Sequence, residues 1–303
     1  MEIRQLQALL AVAEHGSFSA AAEALSTVQS NISAHIARLE REVGATLVDR
    51  HGGRLTEEGL AVAARAERIA YELEALRADV SALRADVTGT ARFGVIGTTA
   101  RWLVPMVLQA MEARHPKVEL VVVEATSTSL EPQLANGRLD LAVVNLPLPA
   151  GDLVTEALFD EDLVLFVPSS HELAGRESVA LGELADLPLL LPPRGVGFRD
   201  EIESAVAKSG AELKIKAELD GIRLIASLAI GGFGAAILPA TAIPTWLRGD
   251  WAVVPVVDLP PRRVGLAQRR RGLPSPAARA LLEVIREAVV PGPDVPLGVN
   301  APA

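Results

Sequence analysis

Between residues 62 and 87 the side chains Val62, Ala66, Ile69, Leu73, Leu76, Val80, Leu83 and Val87 recur at alternating intervals of four and three. That spacing lays a narrow apolar stripe along one long helix, and such a stripe is buried only against a second helix. Tyr71, Glu72, Glu74, Arg77, Asp79 and Arg84 cover the outside of it. No neighbouring segment reads as a helix of matching length. The expected partner is therefore a second copy of the chain, with Ile69, Leu73, Leu76, Val80 and Leu83 at the contact. A connecting helix over 59–88 divides the chain into unlike parts, 1–58 before it and 89–290 after it.

The part before the seam reads as three short helices. Ile3, Leu6, Leu9, Leu10 and Val12 repeat at helical spacing up to Gly16, and Ser17 can cap an alanine-rich second helix over 18–25. After a break at 26–27, a third helix runs over 28–42 and stops at Gly44. Two helices joined by a tight turn form a helix-turn-helix. In the third helix Ile32, Ile36, Leu39 and Val43 share the core-facing arc. Ser30, Ala34, Ala37 and Arg41 lie opposite, flanked by Ser33 and Arg38. A low, polar outer face suits the major groove, although an ordinary amphipathic helix also has a polar outer face. The following segment adds weight to the nucleic-acid reading. Residues 47–50 and 54–56 can form a small hairpin about His51–Gly52–Gly53, a wing that offers Arg50, His51 and Arg54 to phosphates or to the minor groove.

Beyond residue 89, short strand-like and helix-like segments alternate to about 290, so mostly parallel α/β sheets are expected, with ligands bound beyond the carboxyl ends of strands. The proline-rich end, 291–303, is expected to be disordered. The fold class is thus α/β with an all-α helix-turn-helix in front.

Composition limits what such a chain can do. Asp plus Glu number 38 against 29 Lys plus Arg, a formal charge of −9, so DNA must be held by a local basic surface against an unfavourable overall field. There is no cysteine, which excludes disulfides, thiolate metal sites and a thiol nucleophile. Histidines 15, 35, 51, 115 and 171 lack metal-ligand spacing, and no G-x-S-x-G, H-E-x-x-H or G-x-x-x-x-G-K occurs. No catalytic residue, metal or cofactor is expected. The start lacks the pattern of a signal peptide, and the apolar run 224–239, split by Gly231 and Gly232, is too short to span a bilayer, so a cytoplasmic protein without membrane contact is expected.

The segments GSFSAAAEAL (16–25), VQSNISAHIARLEREVGATLVDR (28–50) and RLTEEG (54–59) resemble the LysR-type transcriptional regulators. The resemblance continues through RFGVIGTTARWLVPMVLQAMEARHPKVELVVVE (92–124), NGRLDLAVV (136–144) and GGFGAAILPA (231–240), in the family's order. It implies a winged helix-turn-helix, a dimerising linker helix, and a two-lobed effector domain of periplasmic-binding-protein type. The lobes would comprise 89–161 with 266–290, and 162–265. It also implies promoter binding at a pseudo-palindromic site by a homodimer or homotetramer, contact with RNA polymerase, and control by a small molecule. Gln29, Ser30, Ser33, Arg38, Arg41, Arg50, Arg54 and Thr56 are then the DNA-binding residues. Ala34 stands where the family often has a basic residue, which shifts recognition towards the hydroxyls, the phosphates and DNA shape. The effector would sit among Thr98, Thr99, Ala100, Thr126, Thr128, Asn145, Gly197, Phe198 and Ile222. Arg101, Arg194, Arg199 and Arg223 lie near these positions in sequence, so a carboxylate effector is expected. A solute-binding protein without DNA function is the competing reading, and the first 58 residues argue against it.

Overall fold

The computed structural model describes residues 1–303 except 50–52, 83–86, 150, 196, 211, 245–248, 271, 273, 291, 293–294 and 303. Helix α1 (Ile3–His15) ends at Gly16, whose φ of 69° is open to glycine at little cost. The Ser17 hydroxyl accepts from the Ala20 N–H at 3.1 Å and starts α2 (Phe18–Ala24). Helix α3 (Gln29–Val43) follows and ends at Gly44, φ 77°. Ala8, Ala11, Ala21 and Ala22 are buried with Leu9, Ile36 and Leu39, and their small side chains let the three helices cross closely. Val43 departs from the expected core arc. It is 37% exposed, being the last helical residue before the Gly44 turn carries the chain away.

The wing is tied to α3 by Glu40, whose carboxylate accepts the N–H groups of Leu47 (2.9 Å) and Val48 (3.3 Å). Its two arms meet at one antiparallel bridge, Val48 to Leu55, closed by the Asp49 N–H on the Arg54 carbonyl at 2.8 Å. Arg50 and His51 lie outside the described residues. Helix α4 (Glu57–Ala82) begins directly behind the wing. The Thr56 hydroxyl accepts from the Gly59 N–H (2.9 Å) and donates to the Thr46 carbonyl (2.7 Å). A Cβ on Gly59 would overlap the Leu47 carbonyl oxygen, so wing and helix touch backbone to backbone. Ala63 and Ala66 are buried in the core of this first unit. Further along, Ile69, Leu76 and Val80 are 41%, 60% and 53% exposed in the single chain, and Leu73 is half-buried. Leu83 lies outside the described residues.

The remaining chain forms strands β1 (Gly89–Val95), β2 (Val118–Glu124), β3 (Leu141–Asn145), β4 (Leu153–Glu161), β5 (Leu163–Pro168), β6 (Leu189–Leu191), β7 (Ile215–Glu218), β8 (Ala235–Pro239), β9 (Trp251–Pro255), β10 (Arg262–Arg269) and β11 (Val299–Asn300). Interleaved with them are α5 (Gly97–Arg114), α6 (Ser127–Ala135), α7 (Gly197–Ser209), α8 (Ile222–Ile230) and α9 (Pro276–Ala288). One sheet has the order β11-β4-β10-β3-β1-β2 and the other β7-β6-β8-β5-β9. In the first, β1 runs parallel to β2 and β3, while β10 lies antiparallel between β3 and β4. In the second, β6 is parallel to β7 and β8, and β5 is antiparallel to β8 and β9. The chain changes sheet twice, from β4 into β5 and from β9 back into β10. Because β10 begins at Arg262, residues 262–265 lie in the first sheet and not in the second lobe, where the resemblance put them.

The tail also departs from expectation. Val299 and Asn300 pair with Glu161 and Asp160 of β4, and the Asp162 N–H bonds the Gly298 carbonyl at 2.8 Å. Without them β4 would present an open edge, whose unmet backbone groups take up an added strand. The linker helix α4 rests on the first lobe through Glu67, which receives Arg138 Nε at 2.7 Å and Nη2 at 2.9 Å. The Arg92 guanidinium stacks 4.6 Å above the Tyr71 ring beside it.

Candidate functional sites: a nucleic-acid face and a cleft between two lobes

On α3 the structure leaves Gln29, Ser30, Ala34, Arg38 and Arg41 exposed and Ser33 and Ala37 half-buried. The Ser19 hydroxyl donates to Gln29 Oε1 at 3.2 Å, which fixes the start of α3 against α2. Arg41 Nε donates to the Ala37 carbonyl at 3.2 Å, and the residue is exposed. Arg54 is exposed on the returning arm of the wing. Thr56 is half-buried, and its hydroxyl is used to cap α4 and hold Thr46. Acidic side chains are drawn away from this face. Glu40 points at the wing backbone, and Glu42 is engaged by Gln5 and by the N-terminal amine. The result is a low hydroxyl and alanine ridge with arginines at one end, inside an otherwise acidic protein.

In the first lobe β1, β2 and β3 are parallel, so their carboxyl ends lie side by side, and three groups of expected site residues collect there. Thr98, Thr99 and Ala100 form the first turn of α5, since the helix begins at Gly97. Thr126 stands at the N-cap position of α6 without a side-chain capping bond, and its hydroxyl lies 2.9 Å from that of Thr128 and 3.0 Å from that of Ser129. Asn145 closes β3, with its N–H on the Ser127 hydroxyl at 2.9 Å. Thr99 is fully buried and, among the described residues, its hydroxyl has no partner; Asn145 Oδ1 is enclosed and likewise unmet. An enclosed polar atom without a hydrogen bond is costly, and such atoms mark places where water or a ligand completes the set. In the second lobe Gly197 opens α7 and Ile222 opens α8 after Gly221 (φ 108°). Phe198 turns inward and packs in that lobe's core, so it acts as a support there.

Sequence reading missed the groups that join the two lobes. Arg262 and Glu161, at the start of β10 and the end of β4, are 6% and 0% exposed. Arg262 donates Nε to Glu161 Oε2 at 3.0 Å and Nη2 both to Glu161 and, at 2.8 Å, to the Thr98 hydroxyl. The other oxygen of Glu161 accepts the Thr241 N–H (2.8 Å) and hydroxyl (2.5 Å) from the turn after β8. Asp160 and Arg263 form a second, bidentate pair one residue away, at 2.8 and 2.9 Å. Charges at the ends of otherwise apolar strands were the available signal.

Three of the four arginines near the cleft are already paired. Arg199, 2% exposed, donates Nε to Glu203 (2.8 Å) and Nη1 to the Pro192 carbonyl (3.2 Å), with Glu218 3.8 Å away. The hydrogen bond from Arg199 holds the Glu203 carboxyl below its ordinary pKa. Arg194 approaches the same carboxylate at 3.6 Å, and Arg223 pairs with Glu124 at 2.7 Å. Arg101 has no carboxylate partner among the described residues; Nη1 bonds the Ala242 carbonyl at 2.8 Å.

Residues 3–60 match the sequence family "Bacterial regulatory helix-turn-helix protein, lysR family", and residues 84–290 match "LysR substrate binding domain". A "Probable hydrogen peroxide-inducible genes activator" of Streptomyces viridosporus is 36% identical over 293 residues, covering 95% of this chain and 94% of that one. The "DNA-binding transcriptional dual regulator OxyR" of Escherichia coli is 29% identical, with 95% of each chain covered. Among solved structures, a full-length, cysteine-substituted OxyR from Pseudomonas aeruginosa aligns with a TM-score of 0.74 at 26% identity, over 95% of this chain and 94% of that one. Full-length CbnR in complex with its target DNA aligns at 0.69 and 26% identity, over 95% of this chain and all of that one.

Proposed function

We propose, from the premise that the chain belongs to the LysR family of bacterial transcription regulators, that it reads promoter DNA through α3 and the wing and is set by a small molecule held between its lobes. The observation that carries this reading is the outer face of α3, polar, shallow and cleared of acidic side chains, next to the exposed Arg54. Residues 1–58 are assigned to the head, 59–88 to the dimerising helix and 89–290 to the effector unit. Gln29, Ser30 and Ser33 would meet bases, and Arg38, Arg41, Arg50 and Arg54 would meet phosphates. Two heads joined by paired α4 helices suit a pseudo-palindromic site. RNA polymerase is the further partner, the compartment is the cytoplasm, and no catalytic step is assigned. Among the described residues no helix is long and apolar enough to cross a membrane. Thr99, Thr126, Thr128 and Asn145 form the polar half of the effector site, the first two of them supported by an unmet hydroxyl and a hydroxyl cluster. The ligand acts only through its unequal affinity for two lobe arrangements.

The relatives' names raise a second reading, response to hydrogen peroxide. This sequence holds no thiol to oxidise, so neither a sulfenic acid nor a disulfide can form in it. We assign the signal to reversible binding instead. Fluorescence anisotropy with the DNA upstream of its own gene, against a scrambled duplex, tests the DNA assignment. A preference of about 10³-fold or more is expected, and equal affinities would overturn it. Treating the protein with peroxide should leave that affinity unchanged.

A further inference from the structure

We propose that the effector unit carries a second ligand site, a groove between α5 and α9, that takes a small carboxylate with an apolar body. The groove has a volume of about 830 Å³, within the range of small-molecule sites. Its walls come from one face of α5, from α9, and from the segment after β8 that belongs to the second lobe. Trp102, Met106, Ile243, Val284 and Ala288 supply the apolar surface, and none of the nine residues assigned to the cleft lines it.

The charge pattern specifies the ligand. Two arginines border the groove. Arg114, at one end, is neutralised by Glu287. Arg101, three helical turns away, is half-buried, and among the described residues its hydrogen bond goes to a neutral backbone carbonyl, that of Ala242. The nearest acid in its field, Glu124, is held by Arg223, and Arg223 itself adds a repelling positive charge. Burial and that repulsion both disfavour the charged form of Arg101. A guanidinium cannot escape by losing its proton, because its pKa lies far above neutral. A half-desolvated cation that keeps its charge beside an apolar groove is complementary to an anion joined to an apolar group. A carboxylate offers the bidentate geometry that guanidinium prefers.

The groove also touches the junction of the lobes. Arg101 sits on α5 of the first lobe and bonds Ala242 of the second. Thr241, on the groove wall, donates to the buried Glu161. A ligand here would therefore bear on the lobe junction from a position separate from the cleft.

Isothermal titration of the full chain with phenylacetate and octanoate, and with phenylacetamide as the uncharged control, tests the site. The two carboxylates should bind saturably, and the amide about tenfold or more weakly, the equivalent of about 1.4 kcal/mol. Arg101→Gln should abolish the difference between acid and amide. Met106→Trp should block both by filling the groove, which covers the case in which Arg101→Gln fails to fold. Thr99→Val, in the cleft, separates the two sites: binding in the groove should survive it and be lost with Met106→Trp. The proposal is overturned if neither carboxylate binds at millimolar concentration, if acid and amide bind alike, or if Thr99→Val removes binding while Met106→Trp does not. Loss of promoter binding in the wild type would overturn the regulator reading and leave this site untouched.

Discussion

The head and the effector unit handle charge in opposite ways. Among the described residues of the first, the buried polar side chain is an uncharged glutamine, Gln5, and the arginines stand outside. In the second, Glu161, Asp160, Arg199 and Arg262 are all at least nine-tenths buried, and three of the four cluster where the chain passes between sheets. Charges at a head's surface are free to meet phosphates. Charges buried at a crossing hold a geometry, because a buried ion left without its partner is strongly destabilising. The two regions should therefore respond to charge removal in different observables, stability for one and DNA affinity for the other.

The sharpest way to break that contrast is Glu161→Ala. It strands Arg262 and is expected to cost about 3–5 kcal/mol of stability, read by urea denaturation. A loss below about 1 kcal/mol would mean that the crossing is not held by charge. The replacement Glu161→Gln, which keeps the acceptor for Thr241, should cost less.

The helix between the two regions comes next. Leu76→Glu places a carboxylate at a seam position that is 60% exposed in the single chain. Sedimentation velocity should show a dimer for the wild type and a monomer for the variant, with little change in the far-UV spectrum. A wild-type monomer at micromolar concentration would refute the seam.

On the head, Arg54→Ala should weaken binding to every duplex about equally and reduce the salt slope by about one unit. Ser33→Ala should shift preference at one base position by about 1–3 kcal/mol if the contact is direct. Neither should change stability by more than about 0.5 kcal/mol. Identical behaviour of the two variants in DNA binding would erase the division between phosphate and base contacts.

The smallest effect is expected at the acid limb of the stability profile. Arg199 holds the folded-state pKa of Glu203 below its ordinary value. Its contribution is therefore complete above the unfolded value of about 4.3 and is lost as pH falls through the folded one. Glu203→Gln should flatten the stability curve below about pH 4.3, and an unchanged acid limb would mean that this half-exposed carboxylate carries no net coupling.

Periodicity made some parts of the molecule legible in advance. The seam could be read because it obeys one period for nearly four heptads. The three head helices could be read because glycine at 16 and 44 and serine at 17 punctuate them. Val43 was misplaced because helical spacing alone does not show where a helix leaves its core. The cleft was less legible. Thr98 and Thr126 are alike in sequence, yet one hydroxyl is locked under Arg262 and the other joins a cluster with those of Thr128 and Ser129. Glu161 and Arg262 are 101 positions apart, and pairing across such a distance is set by strand order, which no local pattern encodes. The tail was misread because its composition argues for disorder, while an open strand edge in another part of the fold decides otherwise.

The backbone contact at Gly59, where a side chain would collide with the Leu47 carbonyl, leaves the head no joint of its own. Head and α4 turn together, and because Arg138 on Glu67 and Arg92 on Tyr71 tie α4 to the first lobe, that lobe turns with them. The 26 helical residues of α4 make an arm of about 39 Å at 1.5 Å per residue. A rotation of about 5° at the far end sweeps the tip through about 3 Å, close to the rise of one base pair. A rotation of a few degrees is thus enough to shift α3 by about one base-pair step.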